Sequence, residues 1–255
     1  GINQKKCMTG KKIKIALCLS GEPRSSMASF PYIYETFLKD NNIFETDVYV
    51  HSWKNFRALD LYNSTKLQID FSNLNKEYLN FFNNLEINDS TKDYLKIIND
   101  KGYTLNSNIF KNTFSMYSSI NRCFNLFQNK NYDIIIRCRL DIIFYQPLLI
   151  NHILFDILNQ KYDLFIPHIY NDIIGTQEVD DQLAIGNPKS MLYYGDLLYN
   201  LGNLVETTQS INSHKLLFEY LNQSDYKINL SYINHDIIRQ SNIIKTKPYH
   251  NFLDE

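Results

Sequence analysis

Lys130–Leu148 reads KNYDIIIRCRLDIIFYQPL, and the fold follows from how that stretch is understood. Ile134–Ile136 is apolar enough for a strand buried on both faces, the kind found in parallel sheets. Arg137, Arg139 and Asp141 then alternate along its end. Residues two apart in a strand point the same way, so a strand regular through Asp141 would put two guanidiniums and a carboxylate on one face. One explanation is an ion pair at a sheet end, although burying such charges is costly without excellent pairing. The other is a site completed by a ligand. Arginine forks match phosphate oxygens, and a carboxylate is a hard ligand for Mg²⁺ or Mn²⁺. We favour the second: Arg137 and Arg139 for a diphosphate, Asp141 for a metal.

Working outward, KIALCLS (Lys14–Ser20) reads as a buried first strand running into the loop SGEPRSS. Gly21 permits a tight turn beside a ligand, and Arg24 can reach an anion. Met27–Asn41 has helical spacing, and TDVYVHSW (Thr46–Trp53) is a second strand. Strand, loop, helix and strand make a βαβ unit with a parallel sheet. Phe110, Phe114, Tyr117, Phe124 and Phe127 mark one face of a helix, with Ser115, Ser118, Ser119 and Arg122 mostly elsewhere on it. Further on, the pattern predicts a helix over 150–160, strands within 162–172 and in QLAIG, a helix opened by Pro188, another over 213–224, and a closing strand with a tail. Residues from about 55 to 105 lack a clear period and read as an insertion of helices and loops. No repeat or linker divides residues 1–255, so we expect one domain.

Asp47, Asp133 and Asp163 each introduce an apolar run. We read these runs as neighbouring parallel strands entering the core in one direction. Their C-terminal ends then line a single edge, where open α/β sheets bind ligands. Ser20–Arg24, His51–Trp53, Arg137–Asp141 and His168 fall there. EVDDQLAIG (Glu178–Gly186) adds Asp180 and Asp181 just before a short strand, with Asp181 the better candidate for a general base. His235, flanked by strand-like residues, joins Asp141 as a candidate metal ligand.

Several classes are excluded. A net charge of −1 gives no electrostatic footprint for nucleic acid. The sequence has no P-loop, no G-x-G-x-x-G, no H-E-x-x-H and no G-x-S-x-G. Its four cysteines form no C-x-x-C, and with Cys18 and Cys138 in core strands they fit a reducing, cytosolic compartment. No apolar run is long enough to span a bilayer, and no signal peptide is evident. Lys5, Lys6, Lys11 and Lys12 suit peripheral contact with an anionic membrane face. The chain opens on Gly1 in place of Met, as a piece of a longer protein or an engineered terminus would.

Four motifs together resemble the GT-A type of bacterial sugar-nucleotide-dependent glycosyltransferase, of the epsilon-proteobacterial (Campylobacter-like) capsule and lipopolysaccharide kind. They are Ser20-Gly21-x-x-Arg24, Asp47 to Trp53, Tyr132 to Asp141, and the Asp-Asp-Gln pattern from Asp180 to Met191. The resemblance covers residues 14 to about 195. It implies an α/β fold with a GT-A-like, Rossmann-type, mostly parallel sheet flanked by helices. It also implies transfer of a sugar from a nucleoside-diphosphate donor, with UDP favoured, to a hydroxyl of a glycan or lipid-linked acceptor, aided by Mn²⁺ or Mg²⁺. Ser20, Gly21, Arg24 and Ser119 would lie by the nucleotide, and Asp180 and Asp181 on the acceptor side. Asp181 would be the base of an inverting reaction. Arg139 stands where the family's Asp-x-Asp has its first carboxylate, so one metal ligand is lost. The alternatives are a non-catalytic domain binding sugar nucleotide or glycan, and a nucleotidyl- or phosphotransferase.

Overall fold

Nine strands and six helices organise the described part of this computed structural model, which comprises residues 12–21, 26–39, 43–53, 86–88, 108–145, 150–168 and 177–237. Arg24 and most of the 55–105 stretch lie outside the described residues. The strands are β1 (Ile13–Ser20), β2 (Phe44–Trp53), β3 (Glu86–Asn88), β4 (Ile134–Arg139), β5 (Ile142–Phe144), β6 (Leu164–His168), β7 (Leu183–Gly186), β8 (Ile228–Tyr232) and β9 (His235–Ile237). The helices are α1 (Ser26–Ile33, continued by a π turn over Tyr34–Leu38), α2 (Asn108–Asn125), α3 (Ile150–Leu158), α4 (Pro188–Gly195), α5 (Leu197–Thr208) and α6 (Ser213–Asn222).

Seven strands form one sheet in the order β3-β2-β1-β4-β7-β6-β8. β7 is antiparallel to both its neighbours, and the other strands share one direction. The chain is thus a mixed α/β fold with a mostly parallel central sheet flanked by helices. The expectation that β2, β4 and β6 are neighbours is corrected. They do run the same way, but β1 lies between β2 and β4, and β7 lies between β4 and β6. The reversal of β7 has a consequence for the site. Its first residues, not its last, lie beside the C-terminal end of β4, with Leu183 paired to Cys138. Asp180–Gln182 therefore reach the same edge as Arg137 and Arg139.

The buried run of β1 alternates between two cores. Ile13, Ile15, Leu17 and Leu19 pack with Ile33 and with Ile153, Leu154 and Ile157 of α3. Ala16 and Cys18 face the other way, beneath Phe114, Tyr117 and Phe124 of α2. Small residues on the sheet make room for the α2 aromatics, and each fully buried apolar side chain stabilises the fold by about 1.5–3 kcal/mol. Of the aromatic residues expected on one face, Phe114, Tyr117 and Phe124 of α2 are buried, as is Phe127 just past its end. Ser118 and Ser119, elsewhere on the helix, are buried as well. Asn187 caps α4 by accepting from Ser190 N (2.9 Å), with Pro188 in the first turn as the sequence predicts. No described helix is long and apolar enough to cross a membrane.

The deciding stretch is two strands, not one. The chain turns at Leu140–Asp141, and β5 leaves the main sheet to pair with β9 in a separate antiparallel ribbon. Ser29 Oγ donates to the Leu140 carbonyl and ties that turn to α1.

Candidate functional site

A cleft of about 400 Å³ opens at the edge where β1 and β4 end and β7 begins. Ser20 and Gly21 line it from β1, Arg137 and Arg139 from β4, and Asp181 and Gln182 from the entrance to β7. The first half of α2 contributes Asn112, Thr113, Ser115 and Met116, and the start of α6 contributes Asn212, Ser213 and His214. Residues distant in sequence and singled out from it thus meet in one place. Ser119, Asp141, Asp180 and His235 do not line the cleft, and His168, at the end of β6, does not either.

The two arginines differ. Arg139 makes a bidentate pair with Asp141, Nε to Oδ1 at 2.8 Å and Nη2 to Oδ2 at 3.0 Å. Asp141 is fully buried, and the pair closes the Leu140–Asp141 turn. For these two residues the ion-pair explanation holds. Arg137 is also fully buried, but its side chain is incompletely matched. Nη1 donates to the Asp181 carbonyl, while Nε and Nη2 have no acceptor. Ser20 Oγ and Gln182 Oε1, on the same cleft, are likewise buried without a partner. Native proteins rarely leave such groups unpaired. Three of them around one cleft mark where a polar ligand would bond.

Gly21 adopts φ +122°, the left-handed region that favours glycine. Its N–H does not face a ligand. It donates to the His51 carbonyl (3.2 Å) and to Ser119 Oγ (3.0 Å). Ser119 Oγ also meets His51 Nδ1 at 2.8 Å and the His51 carbonyl at 3.2 Å. One hydroxyl has a single proton to give, so Ser119 donates to the His51 carbonyl or to His51 Nδ1, not to both. Ser119 is therefore a pin joining α2 to the ends of β1 and β2, and it does not line the cleft. Ser115, one turn earlier, does line the cleft.

Asp180 and Asp181 are adjacent, both buried, and differently engaged. Asp180 Oδ2 meets His235 Nε2 at 2.7 Å, and Oδ1 accepts from Gln182 N at 2.5 Å. His235 Nδ1 lies 2.8 Å from the Ile233 carbonyl. Burial lowers the His235 pKa, but the hydrogen bond and charge of Asp180, the Ile233 carbonyl and the charge of Asp236 outweigh it, so the net shift is upward. Asp181 Oδ2 accepts from Ser213 Oγ at 2.5 Å, and no described group donates to its Oδ1. A carboxylate oxygen on the cleft is thus open to a substrate proton.

His214 was not visible as a site residue. Its Nδ1 lies 2.9 Å from the Val179 carbonyl, which can only accept, so the proton is on Nδ1. The same nitrogen is 3.8 Å from Asp181 Oδ2. The sequence does carry the local cause: Asn212 caps α6 by accepting from His214 N (2.9 Å) and Lys215 N (3.3 Å). Nothing in it says that this cap sits against a carboxylate more than thirty residues away. Cys138, between the arginines, is no nucleophile, because burial pushes its thiol up to about 12 despite Arg137 and Arg139.

A metal on Asp141 and His235 does not fit this arrangement. Both Asp141 oxygens meet the Arg139 fork, and both His235 nitrogens are engaged. Among the described residues no group of three His, Cys, Asp or Glu is placed to hold a metal ion.

No protein-family model and no curated protein matches the sequence. Among solved structures, the chain is similar to mouse xyloside xylosyltransferase 1 in its apo form, with TM-score 0.45, 10% identity, and coverage of 86% of this chain and 84% of that one. It is also similar to a glycosyltransferase involved in the glycosylation of the major capsid of PBCV-1, with TM-score 0.42, 10% identity, and coverage of 87% and 82%. At these scores the likeness transfers no residue roles, and the functional reading rests on the site itself.

Proposed function

We propose that this chain is a glycosyltransferase that moves a sugar from a nucleoside-diphosphate donor to a hydroxyl of a glycan. The observation that carries this is one cleft holding an incompletely matched guanidinium, Arg137, and a carboxylate, Asp181, with an open oxygen. The first suits an anionic leaving group, and the second suits a hydroxyl that must lose its proton. The bond from the anomeric carbon to the β-phosphate oxygen breaks, and its electron pair stays on the phosphate. Arg137 and Ser20 stabilise the charge that develops there. The acceptor oxygen bonds to the anomeric carbon from the opposite face, and its proton passes to Asp181 Oδ1, giving inversion. Ser213 holds the other oxygen and keeps the carboxylate in place. UDP is the favoured nucleotide. A growing capsule or lipopolysaccharide chain is the favoured acceptor, met in the cytoplasm at the inner membrane face.

The test is product release from a panel of UDP-sugars, with and without acceptor glycan. Slow release of UDP without acceptor, faster with it, is expected. Pyrophosphate release from a nucleoside triphosphate and sugar phosphate would indicate a nucleotidyltransferase instead, and tight binding without turnover a binding domain. Asp181→Asn should lower turnover at least about tenfold, equivalent to about 1.4 kcal/mol of transition-state stabilisation, and leave donor affinity nearly unchanged. A collapse of affinity with turnover retained would move Asp181 off the acceptor side.

A further inference from the structure

Among the described residues the carboxylate oxygens at and behind this cleft are committed to the protein except Asp181 Oδ1, and the unmatched donors are cationic or hydroxylic. We propose that the cleft binds a diphosphate without a divalent cation, using Arg137 and Ser20 where a metal would otherwise bridge the phosphates. The inference rests on the reading of the cleft as a nucleoside-diphosphate site and says how that site neutralises its ligand.

Two independent observations carry it. The first is the set of unmatched donors. Arg137 is wholly buried, with Nε and Nη2 lacking acceptors, and Ser20 Oγ lacks a partner on the neighbouring strand. β1 and β4 pair directly, so the Ser20 and Arg137 positions lie at adjoining strand ends. Phosphate oxygens offer acceptors only, and a guanidinium fork matches two of them at once. The second is the state of the carboxylates. Arg139 occupies both oxygens of Asp141, while His235 and Gln182 N occupy those of Asp180. Among the described residues lining the cleft, Asp181 Oδ1 is the carboxylate oxygen with no donor. A cation there would take the atom that must accept the acceptor's proton. Mg²⁺ and Mn²⁺ need hard oxygen ligands, and a protein that uses them for diphosphates normally supplies one or two carboxylates for the purpose.

The test uses the whole chain and two probes, inorganic pyrophosphate and uridine diphosphate, each titrated calorimetrically in EDTA and again with Mn²⁺. At least one probe should bind in EDTA, and adding Mn²⁺ should change its dissociation constant less than about threefold, under 0.7 kcal/mol. Arg137→Met should weaken binding about ten- to a hundredfold, the loss of a charge-assisted bond. If that variant fails to fold, Ser20→Ala carries the test. Its hydroxyl has no partner in the free protein, so it should fold normally and bind about three- to tenfold more weakly. Binding that appears only with Mn²⁺ overturns the inference and leaves the nucleoside-diphosphate reading standing. Failure of both probes in both conditions overturns both. Undiminished affinity in the folded variants removes Arg137 and Ser20 from the ligand.

Discussion

The two edges of the central sheet treat their charges in opposite ways. At the edge where the parallel strands begin, acidic side chains are matched to backbone and side-chain donors. Asp133 Oδ2 accepts from Lys14 N at 2.9 Å. Asp163 Oδ2 accepts from Lys227 N and its Oδ1 from Asn187 Nδ2, both at 2.9 Å. Asp47 Oδ2 accepts from Tyr132 Oη at 2.6 Å. Each carboxylate takes up a donor that the fold itself presents. At the edge where the strands end, Arg137, Ser20 and Gln182 keep buried polar atoms unmatched. A matched edge holds strands together, and an unmatched one awaits a molecule from outside. Charged residues at a strand end therefore say little until their partners are counted.

Arg139 is the sharpest challenge to that division, because it lies on the unmatched edge but behaves like the matched one. Its partner Asp141 is buried, and removing one member of a buried pair takes away much of what compensates the other charge. Arg139→Met should lower unfolding free energy by about 3–5 kcal/mol in a urea titration, the largest effect expected here. A loss under about 1 kcal/mol, within the range of exposed pairs, would mean that Asp141 is held chiefly by something other than Arg139.

The sequence revealed the parts of this edge better than their assembly. The apolar runs and the period of α2 identified β1, β2, β4, β6 and the buried aromatic face, because burial writes itself into spacing. Ser20, Arg137 and Asp181 stood out in the sequence because charge or turn chemistry bordering an apolar run is unusual, and all three line one cleft. The turn at Leu140 was missed because LDIIF continues the same apolar pattern, and the pairing of β5 with β9 is non-local. The antiparallel entry of β7 was not read either, since direction leaves no local trace in four residues. His235 looked like a metal ligand because its sequence neighbours are strand-like, whereas its actual partner is Asp180, fifty-five positions away.

His235 offers a second way to test the comparison, because its pairing with Asp180 lies behind the cleft yet should be structural. Its pKa is raised in the folded protein above the ordinary value of 6.5. A group with a raised folded pKa adds stability that is complete below its unfolded pKa. That stability is lost as pH rises through the folded pKa. The wild type should thus lose stability above about pH 6.5, by no more than about 1.4 kcal/mol per pH unit from this one proton. His235→Gln keeps a side-chain donor for Asp180 but cannot titrate, so the difference between the two proteins should shrink as pH rises. Denaturation profiles that stay parallel from acid to alkaline pH would show that the pair does not gain a proton on folding.

The smallest effect belongs to the matched edge itself. Asp163 binds the backbone where β8 begins and the side chain that caps α4, so Asp163→Ala removes acceptors from Lys227 N and Asn187 Nδ2. Water can reach this edge and replace the Lys227 contact, so the cost should be about 1 kcal/mol, the net value of an ordinary hydrogen bond. The affinity for pyrophosphate or uridine diphosphate should not change, because the β6 start and the cleft lie at opposite ends of the strands. That second measurement gives the test its force. A modest loss of stability fits either edge, but a fall in affinity of about tenfold on removing Asp163 would mean that the two ends are coupled through β6 and β7. The division between a structural edge and a ligand edge would then fail.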